Sequence, residues 1–173
     1  MKQVQHTAQE THMQDDTTQV DLVISEESKE VELFLPFLKP FYAAVEPLSW
    51  LLVRLTAGLM LLPHGIPKLQ AGVEATAASA LTKRGIEAAE PLAVVLILLE
   101  TLGGLCVALG LFTRFFAAAI AVEMSVIVYH YLPKFGWTGP GYEYPLMWGL
   151  IMLAIAMRGG GPFSMDRRLG KEL

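Results

Sequence analysis

Three ionisable residues, Arg54, Glu100 and Glu123, interrupt apolar runs long enough to cross a bilayer. Burying such a group in hydrocarbon is costly unless it is paired, so each must face a bundle interior or a cavity. Glu100 lies in the most apolar run, residues 91–112, PLAVVLILLETLGGLCVALGLF. Counting about 1.5 Å of rise per residue from the expected helix starts puts all three groups near the midplane. A guanidinium presents a fork that can serve two carboxylates, so Arg54, Glu100 and Glu123 are expected to form one buried polar network. The trio carries one surplus negative charge, which a proton would neutralise. The alternative is a structural clasp that only fixes helix register.

A second group gathers toward one membrane surface. His64 and Lys68 follow the first apolar run, and His130 and Lys134 close the third. Glu123 and His130 are seven residues apart and share a helix face. A carboxylate below a histidine suits a proton path, or hydrogen bonds to the carbonyls of a quinone head group. The candidate quinone or substrate site is therefore His64, Lys68, Glu100, Glu123 and His130. Two histidines with no third ligand at a recognisable spacing make a poor metal site, and none is expected. The bland reading of His64 and His130 is an interfacial residue bonded to backbone or water. Cys106 is the single cysteine, which excludes an intrachain disulfide and a CxxC pair and leaves a small core residue.

These groups need helices to hold them. Of the 173 residues, 53% are apolar, high for a soluble domain. The expected fold is all-α, an integral membrane four-helix bundle with a disordered acidic N-terminal tail. Residues 1–30 hold no Phe, Trp or Tyr and are too polar to bury a core. Residues 31–46 mix aromatics with Pro36 and Pro40, and Pro47 follows directly; prolines at that density should break a long helix and leave an amphipathic segment in the membrane interface. The four-helix domain is expected over 47–169, with a short tail at 170–173. Its spans are placed at 47–62, 91–112, 115–132 and 145–157, the last of these short. Pro63 and Pro67 should kink or end the first helix, and the Ala-rich stretch 70–90 suits a short surface helix. Gly103 and Gly104, just beyond Glu100, would let another helix approach closely, as would the alanines at 117–119 and 121.

No basic start followed by an apolar run opens the chain, so the first span is expected to direct insertion. Lys39, Arg114, Arg158, Arg167, Arg168 and Lys171 fall on the side of the termini, against Lys68, Lys83, Arg84 and Lys134. That bias favours an inner-membrane protein with both termini in the cytoplasm. Dispersed basic residues and an acidic tail speak against a nucleic-acid partner.

The stretches R54LTAG, HGIPK at 64–68, E100TLGGLCVALGLFTR, the Ala-rich third span and GGGPFSMD around Ser164 and Asp166 stand in an order that resembles the DoxX family. The resemblance runs over residues 50–169. It implies a small four-helix membrane protein, a subunit linked to quinone-dependent respiratory or thiosulfate-oxidising complexes or to redox-stress enzymes. Quinone is the one carrier these residues would accommodate unaided, since no haem-ligand pair, nucleotide-binding loop or metal site is evident. The leading expectation is a quinone-linked oxidoreductase subunit in the lipid bilayer, with partner subunits or further copies of itself. Two alternatives stand beside it: a structural or assembly anchor without its own activity, and a small proton-coupled transporter acting as an oligomer.

Overall fold

The computed structural model describes residues 33–87, 89–136 and 141–172, which are helical and contain no strand. The expected disordered tail, residues 1–30, lies outside the described residues. By internal contacts the chain divides into residues 1–42 and 43–173. In the first unit a 3-10 turn, Pro36–Leu38, leads into the start of α1, with Phe41 and Tyr42 edge to face at 5.6 Å.

Helix α1 is Lys39–Leu59 and α2 is Leu62–Ala71. The expected break before residue 47 does not occur. Pro40 falls in the first turn of α1, where a missing N–H costs nothing. Pro47 lies inside the helix, as proline can in spanning segments whose neighbours re-satisfy the freed groups. The break comes later, at Met60 and Leu61, and Pro63 stands in the first turn of α2. Together these elements make the helical stretch Pro36–Ala71, 36 residues long.

The Ala-rich stretch folds into a short surface piece: α3 (Val73–Thr76), a π turn (Ala77–Leu81) and a 3-10 turn (Thr82–Arg84). Ala77 buries against Ala89 and Ala93 of the next helix. That helix is α4 (Ala89–Leu98), continued by a π turn (Leu99–Gly103) into α5 (Gly104–Leu109). A tight turn, with Gly110 at φ 73° and Phe112 at φ 47°, then feeds α6 (Thr113–Tyr131). Helix α7 (Glu143–Arg158) and the short α8 (Met165–Leu169) complete the described chain.

Pro36–Ala71, Ala89–Leu109 and Thr113–Tyr131 are long and apolar enough to cross a membrane. The expected fourth span, α7, has 16 residues and reaches about 24 Å, short of a ~30 Å hydrocarbon core. It lies along α6 in the most extensive helix pair among the described residues. Ala117, Ile120, Met124, Trp148, Met152 and Ile155 form the centre of the core there, joined by Ala57, Leu61 and Val107. Small residues set the remaining close approach. A Cβ on Gly104 would lie 2.8 Å from the Gly58 carbonyl, so α1 and α5 pack backbone to backbone.

Candidate functional site

The buried polar residues fall into two groups, and the expected trio is split between them. Arg54, 1% exposed, donates to the carbonyls of Ala108, Gly160 and Phe163 and makes no ion pair with either glutamate. Helix α5 therefore meets Arg54 near Ala108, eight residues past Glu100, an axial separation of about 12 Å. Counting depth from Pro47 set Arg54 too deep. Trp50 donates to the Gly159 carbonyl at 3.0 Å, so residue 50 already marks one end of the bundle and Arg54 lies a single turn inside it. Asp166 stands at that same end. Its Oδ1 accepts from the Phe112 N–H at 2.7 Å, and its Oδ2 accepts from the Thr113 N–H and hydroxyl at 2.9 and 2.6 Å. A remote carboxylate thus caps the start of α6, satisfying donors that no local side chain reaches.

Glu100 instead pairs with Lys68. Two local features create that pair. The π turn at Leu99–Gly103 inserts an extra residue into the helix, and both Glu100 and Gly103 turn inward from it. Gly65 then lets α2 cross directly over that turn, since a Cβ there would lie 2.7 Å from the Glu100 carbonyl carbon. Lys68, three residues beyond Gly65 on the same face, arrives over the carboxylate. The counter-ion expected from α1 comes from α2.

Glu123 has neither partner. Its side chain is buried on α6, 9% exposed, and both carboxylate oxygens lack a hydrogen bond among the described residues. It lies within Coulombic reach of Glu100 and Lys68. The Trp148 indole Nε1 on α7 is likewise buried without a partner.

Lys68, Glu100, Glu123 and Trp148 border one cavity of about 960 Å³, together with His64 and His130. The five expected binding residues, His64, Lys68, Glu100, Glu123 and His130, therefore share one wall system, whereas Arg54 is not on it. Leu92, Val95, Leu96, Val122 and Val126 supply apolar walls. Tyr144 stacks on Trp148 with centroids 5.4 Å apart, and the His64 ring is 6.3 Å from Tyr144, so three rings run along the cavity from α7 to α2. His130 engages the Val126 carbonyl through Nδ1 at 2.8 Å, and its Nε2 makes no hydrogen bond among the described residues.

Sequence reasoning missed Trp148, Tyr144 and Arg84. The first two belong to an aromatic stretch that suits a membrane interface just as well. Arg84, in a polar surface segment, borders the cavity and donates to the Tyr131 hydroxyl at 2.9 Å. Nothing local to Arg84 signals that reach.

Chemically, the cavity pairs apolar walls with two cations, two imidazoles and two carboxylates, one of them without a hydrogen bond among the described residues. That arrangement suits a largely apolar ligand with a few polar atoms at one end. An unpartnered buried carboxylate and indole N–H are groups that a ligand's polar atoms would satisfy.

The DoxX family model matches residues 49–133. The matched stretch contains Arg54, Gly65, Lys68, Glu100, Glu123 and His130 and ends before α7. Searches of curated proteins and of solved structures return no match.

Proposed function

Taking the chain as a membrane protein of the DoxX family, we propose that it is the membrane subunit of a quinone-linked oxidoreductase system and holds the quinone in the cavity between α2, α4, α6 and α7. The observation that carries this reading is the convergence of His64, Lys68, Glu100, Glu123 and His130 on one mostly apolar cavity. Its volume is at the upper end of the ~300–1,000 Å³ usual for small-molecule sites. The residues fit the group: Lys68, His64 and the Trp148 indole offer donors to ring carbonyls, and Leu92, Val95 and Val122 offer contact to a ring and apolar tail.

When bound, a quinone supplies a carrier for two electrons and two protons. The chain's own side chains bind and orient it and exclude water from it. Lys68 is held by Glu100, which keeps its ammonium at the cavity wall. In this reading Glu123 holds a proton at Oε1 or Oε2, and His130, two turns along the same face of α6, passes it toward the surface through Nε2; the Nδ1 contact with the Val126 carbonyl supports that role for Nε2. Electrons come from a partner subunit in this reading, and the protein sits in the inner membrane with both termini cytoplasmic.

Extraction of the purified protein with organic solvent, followed by titration of a soluble quinone analogue into wild type and Glu100→Gln, tests the proposal. Co-purified quinone and binding weakened at least about tenfold in the variant are expected, the scale of losing a charge-assisted contact. No quinone and no binding in either protein would favour a structural or assembly subunit, a reading to which Arg54, bonded to three backbone carbonyls, also lends itself.

A further inference from the structure

We propose that the opposite end of the bundle, at the junction of α7 and α8, binds the phosphate group of an anionic phospholipid. A second recess, of about 360 Å³, lies there, bordered by Arg158, Arg167 and Lys171 and by the carboxylates Asp166 and Glu172.

The charges in it do not cancel. Both oxygens of Asp166 are used at the start of α6. Glu172 is engaged by the Arg114 Nε at 2.8 Å and by the Gly160 N–H at 3.2 Å. Arg158, Arg167 and Lys171 form no ion pair among the described residues. Three exposed cations thus outnumber the two carboxylates of the recess, and among the described residues neither carboxylate pairs with any of them. The carbonyl end of α7, which would repel an anion, is covered as well, because Arg114 donates to the carbonyls of Ala156, Met157 and Arg158 at 3.1, 2.6 and 3.3 Å. A phosphate answers this arrangement, with guanidinium forks to take its oxygens in pairs.

The surroundings favour a lipid as its carrier. The Arg158 guanidinium lies 4.4 Å from the centroid of the Trp50 ring, and tryptophan prefers the headgroup level of a bilayer. Phe163, Met165 and Leu169 present exposed apolar side chains beside the recess, able to dip toward acyl chains while the cations meet the headgroup.

The test uses the full chain in neutral detergent, with phosphatidylglycerol, phosphatidylcholine or inorganic phosphate added separately. Native mass spectrometry counts bound lipid, and a thermal scan reads stabilisation. Wild type is compared with Arg158→Gln/Lys171→Gln and with Lys83→Gln/Lys134→Gln, which removes the same charge elsewhere. The expected result is selective binding of phosphatidylglycerol, weakened roughly tenfold or more in the first variant and unchanged in the second. Equal loss in both variants, or equal binding of the two lipids, would overturn the site. Equal stabilisation by inorganic phosphate would overturn the lipid as its source.

Discussion

The two polar ends of this bundle are made from similar residues and arranged in opposite ways. At one end Arg54 and Asp166 spend their polar atoms on backbone groups of α5, α6 and the segment 160–163. At the other, Lys68 and Glu100 satisfy each other at the rim of a cavity, while Glu123 and the Trp148 indole have no partner among the described residues. A buried charge that satisfies the backbone holds a fold together, because removing it strands several groups at once. A buried polar group without a partner costs its desolvation and becomes a recognition element toward a ligand. Burial alone does not separate these roles; the partners do.

The contrast is sharpest under substitution at its closed end. Arg54→Ala would orphan three carbonyls and cost on the order of 3 kcal/mol or more, read as a lowered unfolding midpoint in detergent. Gly65→Ala breaks the geometry from the cavity side. The added Cβ meets the Glu100 backbone at 2.7 Å, so α2 must lift, at about 1–3 kcal/mol, and the Lys68–Glu100 pair should loosen with it. A matching fall in quinone-analogue affinity would tie that pair to the ligand. Asp166→Asn keeps one carbonyl acceptor at the start of α6 but gives up the charge, for roughly 1–2 kcal/mol of stability and unchanged analogue binding. Glu123→Gln should have the smallest effect on stability, within about 1 kcal/mol of wild type, because no partner is stranded.

Five polar residues of the cavity, His64, Lys68, Glu100, Glu123 and His130, were legible in the sequence, while its aromatic wall, Arg84 and the pairing were not. Glu100 and Glu123 stand out because a carboxylate inside an apolar run has few reasons to be there, and HGIPK marks a helix interrupted next to two polar groups. What assigns Lys68 rather than Arg54 to Glu100 is a π turn and a glycine crossing, and both depend on helices far apart in sequence. Arg54 bonds to main-chain carbonyls, which leave no trace in residue identity. The continuous α1 hides for a related reason: Pro36, Pro40 and Pro47 read as breaks, yet one begins a 3-10 turn, one lies in a first turn and one is carried within a spanning helix. The short α7 was visible as a short apolar run, but its close packing along α6 was not.

The most direct test of the division between the two ends is one thermal unfolding series, with and without a soluble quinone analogue, on wild type, Asp166→Asn and Glu123→Gln. The account predicts that Asp166→Asn unfolds at a lower temperature yet keeps the full analogue-induced rise, while Glu123→Gln unfolds near wild type and loses most of that rise. A Glu123→Gln protein that keeps the full rise, or an Asp166→Asn protein that loses it, would contradict the account.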